Sequence, residues 1–351
     1  MRKAYLVLQD GTVFEGKGFG ALCGNIGELV FNTAVVGYIE NLTDPAHYGQ
    51  ILVQTFPMIG NYGMIEADIQ GKCCLKGYVV REWCEKPSNF RCEYDLDTFL
   101  KNQGIPGIYG VDTRELTRIL RDKGSMNAMI TDTVPEDITP IQKYAITGGV
   151  EAVTCKDATT YPADQEQYNV VMMDFGGKRY VIDELNKVGC TVTVVPASTK
   201  ADEVLGLNPD GVVLSAGPGD PRENTAIIAE IGNLFGKTPI LAIGLGHQML
   251  ALSQGGEVNK LPHGHHGGQP AKMIGVDATY ITSQNHDYAV ISDTVKNGAI
   301  TFYNLNDNTC EGLEYKDAKA ISVQFNPEST SGPRSTACIY ERFVTLMGGN
   351  N

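Results

Sequence analysis

No run of about 18 apolar residues exists in this chain, so no segment is long enough to cross a membrane as a helix. Basic residues are also scarce. Twenty-eight lysines and arginines stand against 41 aspartates and glutamates, a formal net charge of −13. Nucleic acid and anionic membranes need a basic surface, so neither is expected as a main partner, which leaves small molecules or another protein. Paired cysteines are missing as well. Cys23, Cys73, Cys74, Cys84, Cys92, Cys155, Cys190, Cys310 and Cys338 are odd in number and show no C-x-x-C spacing. That pattern suits reduced thiols and argues against a disulfide framework. The apolar stretch in Met-Arg-Lys-Ala-Tyr-Leu-Val-Leu-Gln-Asp is too short for a secretory signal, and a cytoplasmic location is expected.

What is present points to two domains, the ordinary division for 351 residues. The first opens as a hairpin, with strands at Ala4 to Gln9 and Thr12 to Glu15 around an Asp10-Gly11 turn. Strand patterns continue at Glu28 to Phe31, Ile51 to Phe56 and Gly77 to Arg81, and Asp112 to Lys123 reads as the first clear helix. This is an α+β domain over residues 1–148. Periodicity fades over 149–168, the expected linker. From 169 to 351 buried strands and helices alternate: Val170 to Met173, Lys178 to Val188, Thr191 to Val195, Ala201 to Leu205, Val212 to Leu214, Thr225 to Phe235. Such alternation describes an α/β fold with a mainly parallel sheet covered by helices, binding ligands at the carboxyl ends of its strands.

Thr238 to Gly255 is the most informative stretch. Ile240 to Ile243 has the length of a buried strand, Gly244 to Gly246 forms a tight turn, and His247 to Ser253 is helical in spacing. This is the rhythm of a nucleophile elbow, with Ala242 and Gly246 as the small residues that let strand and helix approach. The central position holds Gly244, which carries no side chain. Three loops should meet here: Asp174 to Gly177, Ser215 to Pro221, and the elbow. Gly217 and Gly219 can expose backbone amides of the kind that stabilise an oxyanion. Farther on lie Pro262-His263-Gly264-His265-His266-Gly267-Gly268, read as a glycine-hinged loop and not a metal site, and the polar Ser283-Gln284-Asn285-His286, read as a second loop. A strand at Ile321 to Phe325 runs into Asn326-Pro327-Glu328, and a closing helix spans roughly 336–347.

Gly217-Pro218-Gly219-Asp220-Pro221, Ala242 to Gln248 and Phe325-Asn326-Pro327-Glu328, in that order, resemble a class I (triad) glutamine amidotransferase. In the first domain, Gly27 to Thr33, Leu42-Thr43-Asp44-Pro45, Ile59-Gly60-Asn61 and Asp112-Thr113-Arg114-Glu115-Leu116-Thr117 resemble the small subunit of carbamoyl phosphate synthetase, a ligase that serves pyrimidine and arginine biosynthesis. The resemblance implies hydrolysis of glutamine by a cysteine, with a histidine as acid and base and a glutamate orienting it. Ammonia then passes to a large subunit. ATP and magnesium belong to that subunit alone, and no cofactor or metal is implied here.

Carried over residue by residue, the pattern breaks where the chemistry lies. Gly244 occupies the nucleophile position and Asn326 the base position, leaving Glu328 of the triad. Asparagine has no titratable nitrogen to take a thiol proton. Among glutamine-binding positions Gly217, Gly219, Leu245, Gln248 and Asn285 match; Ala46 stands for serine, Asp287 for glycine and Tyr288 for phenylalanine. The expectation is a small subunit with an intact scaffold and a lost glutaminase, bound to a large subunit and binding L-glutamine weakly or not at all. Two alternatives stand beside it. One is a glutaminase rescued by another residue, with Cys190 and Cys310 as the candidates; the other is a stand-alone metabolite-binding pseudoenzyme. An inward Asp287 would repel the glutamine carboxylate, whereas an outward one would do nothing.

Overall fold

The computed structural model describes residues 2–22, 24–328 and 334–348. Cys23 lies outside them. The chain forms two compact units: Met1–Ile146 with Pro262–His266, and Thr147–Leu261 with Gly267–Asn351.

The first unit is a closed barrel of seven strands: β1 (Arg2–Leu8), β2 (Val13–Gly20), β3 (Asn25–Asn32), β4 (Gln50–Ile59), β5 (Gly77–Trp83), β6 (Pro106–Tyr109) and β7 (Met126–Thr131), in the order β1-β2-β6-β5-β4-β3-β7. Alternate residues supply two cores, as the period of two requires. Leu29, Ile51, Val53 and Val79 join one with α3, while Val30, Leu52, Tyr78 and Val80 join the other. Its helices are α1 (Tyr38–Leu42), α2 (Leu96–Gln103), α3 (Thr113–Lys123) and the single turn α4 (Thr139–Gln142). Helix α3 forms because Asp112 caps the Glu115 N–H at 3.1 Å and Leu116 and Leu120 bury one face. It is not the first helix: α2, capped by Asp95 on the Thr98 N–H, precedes it and buries Leu96, Phe99 and Leu100.

The second unit contains β8 (Thr159–Tyr161), β9 (Tyr168–Asp174), β10 (Cys190–Pro196), β11 (Gly211–Leu214), β12 (Ile240–Ile243), β13 (Val258–Met273, apart from its Pro262–His266 segment, which belongs to the first unit), β14 (Thr279–Val290), β15 (Ala299–Asn304), β16 (Cys310–Tyr315) and β17 (Ala320–Val323). They form one sheet, β14-β13-β15-β16-β17-β12-β11-β9-β10-β8. Strands β10, β9, β11, β12 and β17 are mutually parallel, and the flanking strands are antiparallel. The helices are α5 (Gly149–Val153), α6 (Arg179–Lys187), α7 (Ala201–Gly206), α8 (Thr225–Leu234), α9 (Leu245–Ser253) and α10 (Cys338–Leu346). One sheet face packs on α7, α8 and α9 through Val204, Ile231 and Met249; the other packs on α6 and α10 through Leu185 and Phe343. Both faces are therefore covered, and β11 and β12 are buried at every residue.

The sequence reading missed structure in three places. The stretch taken as a linker, 149–168, carries α5 and β8, which pairs antiparallel with β10 at the sheet edge. All three residues of β8 are exposed, so no alternation marks it. Pro262 to Gly268, expected as a hinged loop, lies inside β13. Ser283 to His286, expected as a polar loop, lies inside β14 with Ser283, Gln284 and His286 buried. Gln284 donates to the Thr282 hydroxyl at 3.0 Å and meets His286 Nε2 at 2.9 Å, so inward polar side chains satisfy one another on a strand that hydropathy alone reads as loop.

Candidate functional site

Four neighbouring parallel strands, β9, β11, β12 and β17, end at the same edge of the second unit, and the segments leaving them are tied together by hydrogen bonds. The Asp174 carboxylate accepts the Gly176 and Gly177 N–H groups at 3.0 and 2.8 Å, folding the first turn back on itself. Ser215 joins this turn to the next, since its hydroxyl accepts the Phe175 N–H at 2.8 Å and its carbonyl accepts the Gly246 N–H at 3.1 Å. The elbow is fixed to β17 by the Gly244 N–H, which donates to the Val323 carbonyl at 2.9 Å. Asn326 then donates its N–H to the Ser283 carbonyl at 2.8 Å, anchoring the segment after β17 to β14.

Gly244 has φ 56° and ψ −111°, outside helix and strand, and caps a helix whose residues Leu245 to Ala251 are all buried. A side chain at this position is strained whatever the space available. Its Cβ would sit 3.1 Å from Ala216 Cβ and 3.9 Å from the Gln324 carbonyl, between the second turn and the end of β17. At Gly246 there is no such room: a Cβ would lie 2.4 Å from the Leu214 carbonyl oxygen, so only glycine lets α9 approach β11 this closely.

The structure brings Gly217, Gly219, Gly244, Leu245, Asn326 and Glu328 to this edge. Gln248, buried in α9, spends its amide on the Tyr288 carbonyl at 2.7 Å and the Gln324 side chain at 3.0 Å, joining β14 to the site. Asn285, Asp287 and Tyr288 lie on β14, each half-buried. Tyr288 also receives Arg222 over its ring at 5.7 Å, and Arg222 chelates Asp220 in the second turn. Ala46 belongs to the first unit, in the turn Pro45–His47, where its N–H donates to Asp44 at 2.9 Å.

Lys178 is the residue that sequence reasoning overlooked. Its ammonium stands 2.5 Å from Glu328 Oε1, with the lysine side chain 3% and the glutamate side chain 0% exposed. Neither Glu328 oxygen has a hydrogen-bond donor among the described residues. The fully buried Tyr340 hydroxyl also has no partner among the described residues, and its phenol is held well above the ordinary value by burial, reinforced by the Glu328 charge. The sequence reading took Lys178 only as the start of a helix; it is the N-cap of α6, and its place beside the segment after β17 is what could have marked it.

Among the described residues, His247, Cys155, Cys310 and Cys190 are not poised to act as nucleophile or base. His247, three residues beyond Gly244, is fully buried with Nδ1 2.8 Å from the Ser322 hydroxyl, and burial pushes it down to about 3, so it is neutral near pH 7. Cys155 donates its backbone N–H to Asp174 at 2.7 Å, but burial and the neighbouring carboxylate push its thiol up to about 11. Burial raises Cys310 and Cys190 to about 12, and Cys190 sits at the amino end of β10, away from this edge. Thiols so placed stay protonated and unreactive.

Comparison with known proteins bears on the whole chain. Residues 6–130 match the carbamoyl-phosphate synthase small chain CPSase domain, and residues 171–346 match the class I glutamine amidotransferase domain. The chain is 45% identical to the carbamoyl phosphate synthase small chain of Syntrophotalea carbinolica, across 99% of this chain and 98% of that one. This chain belongs to the carbamoyl phosphate synthase small chain family. The corresponding proteins of Clostridium perfringens and Fusobacterium nucleatum are 44% and 43% identical, over 97% and 100% of this chain and 99% of each of theirs. The fold is that of a small chain with an amino-terminal CPSase domain and an amidotransferase domain, in a family that works with a large synthase subunit. No helix among the described residues is long and apolar enough to cross a membrane.

Proposed function

We propose that this chain is a non-hydrolysing small subunit, which binds the synthase large subunit and supports carbamoyl phosphate synthesis from free ammonia. The observation that carries this is the pairing of an elbow at Gly244 that presents no side chain with Asn326 in the segment after β17, beside a buried Glu328 carboxylate that has no hydrogen-bond donor among the described residues. Glutamine hydrolysis through an acyl-enzyme needs a thiolate to attack the amide carbon and an imidazolium to protonate the departing ammonia. Glycine and asparagine supply neither. The buried, protonated thiols and the neutral His247 support the same reading over a rescued glutaminase. ATP and magnesium would act on the large subunit. The isolated chain should release ammonia from glutamine at the background rate and should resist labelling at the elbow by a glutamine-like chloroketone. Ammonia release that co-purifies with the chain through two columns would sink the proposal.

Glutamine itself should bind weakly. Asp287 is half-buried on β14. A carboxylate roughly 6 Å from that of glutamine, at an effective dielectric of about 20, repels it by about 2 to 3 kcal/mol. Calorimetry should therefore show Asp287→Gly binding glutamine on the order of 30-fold or more tighter, at about 1.4 kcal/mol per tenfold. Unchanged affinity would mean the side chain points away from the ligand.

A further inference from the structure

Between the turn Ser292–Thr294 and β15 the second unit crosses a short segment, Lys296-Asn297-Gly298. Both of its ends are held. Val295 donates its N–H to the Ser292 carbonyl at 3.2 Å, the Thr294 hydroxyl accepts the Glu257 N–H at 2.9 Å, and Ala299 pairs with Glu314 in the sheet. In between, Asn297 is exposed, and neither it nor Gly298 makes a hydrogen bond among the described residues. Asn297 is also the one asparagine in the sequence that precedes a glycine. A glycine has no side chain to shield its nitrogen, so the Asn297 side-chain carbonyl and the Gly298 nitrogen can approach closely. Packing keeps this position a glycine: a Cβ on Gly298 would lie 2.7 Å from Tyr315 Cε1, and Tyr315 is buried on β16, edge-on to Phe235 with ring centroids 5.3 Å apart.

We propose that Asn297 is a site of intramolecular deamidation, a covalent modification that passes through a succinimide to aspartate and isoaspartate. The Gly298 nitrogen, its proton lost to a base in the solvent, attacks the Asn297 side-chain carbonyl carbon. A carbon–nitrogen bond forms and closes the ring, the bond to the side-chain amide nitrogen breaks, and that nitrogen leaves as ammonia with a proton from water. Water then opens the ring. Cleavage at the side-chain carbonyl leaves aspartate on the original main chain, whereas cleavage at the main-chain carbonyl leaves isoaspartate, through whose side-chain carbon the main chain now runs. Asparagine is among the thermolabile residues, and a nucleophile next to its target in one short segment makes the attack intramolecular. Either product adds a negative charge. Isoaspartate also lengthens the main chain by a carbon, immediately before a glycine that has no room against Tyr315, and so strains the start of β15. Aspartate, exposed and on an unaltered main chain, does not. The modification consumes no glutamine and releases ammonia once per chain, so it stands or falls apart from the functional reading above.

The test ages the purified full-length chain in mildly alkaline buffer and maps its peptides by mass spectrometry, with fragmentation that tells aspartate from isoaspartate. Residue 297 should convert, with isoaspartate in excess, while Asn102, which is exposed but followed by Gln103, stays an amide. Asn297→Gln must close a larger ring and should slow the conversion at least about tenfold. Separated by anion exchange, the isoaspartate form should melt below the parent, whereas Asn297→Asp, which carries the same added charge on an unaltered main chain, should melt with the parent. An amide that persists at residue 297, conversion of Asn102 at the same rate, or an Asn297→Gln chain that converts as fast as the parent would overturn the assignment. An isoaspartate form as stable as the parent would overturn the strain against Tyr315.

Discussion

Gly244→Cys combined with Asn326→His is expected to convert a chain without glutaminase into one with measurable ammonia release, while each substitution alone stays at background. The two act as one unit. A cysteine without a base keeps a thiol of pKa about 8.5, and a histidine without a nucleophile has no proton to take. Losing such a pair costs on the order of 10⁶ in turnover in the well-studied serine protease case, so even partial recovery is a large signal. The backbone is prepared for it. Gly244 already holds φ 56° at the head of α9, whose amino-terminal amides favour a thiolate, and the new Cβ would need Ala216 to yield by only a few tenths of an ångström from 3.1 Å. Glu328 Oε2, buried and without a donor among the described residues, would accept an imidazole N–H and hold its tautomer. Recovery should stay poor because Lys178 competes for the same carboxylate and because Asp287 remains. Adding Asp287→Gly should raise it further. Equal activity in Gly244→Cys alone would show that a residue other than 326 serves as base.

Lys178→Met is expected to destabilise the protein by about 3 to 5 kcal/mol, because it leaves the Glu328 carboxylate buried and uncompensated. Both side chains are essentially out of solvent, so water cannot take the place of the ammonium. Adding Glu328→Gln to Lys178→Met should recover most of the loss, since the cost lies in the stranded charge more than in the pair. Urea titration of the parent, the two single variants and the double variant measures this directly. A Lys178→Met protein as stable as the parent would mean the ion pair carries no structural weight.

The elbow was legible because three local rules agree there: an apolar run of strand length, glycines that permit a sharp turn, and helical spacing beyond it. The parallel centre of the second sheet was legible for the same reason, as β11 and β12 are apolar on both faces and the strands are separated by helices. The antiparallel flank was not. In β13, Pro262 and several glycines read as a hinge, and in β14 the buried Ser283, Gln284 and His286 read as a loop, because hydrogen bonds among inward side chains leave no hydrophobic pattern. Nor could barrel closure be read from the first domain, where pairings such as β2 with β6 and β3 with β7 join segments roughly 90 to 100 residues apart. The Lys178–Glu328 pair escaped for the same reason, being made by residues 150 positions apart that only the sheet order brings together.

The most direct test of the account is the nitrogen source used by the complex of this chain with its large subunit. Carbamoyl phosphate formation is followed with ATP, magnesium and bicarbonate, supplied either with ammonium chloride or with ammonia-free glutamine. The account predicts product from ammonium at a rate supported by the complex, and none above background from glutamine. Comparable synthesis from glutamine would contradict it.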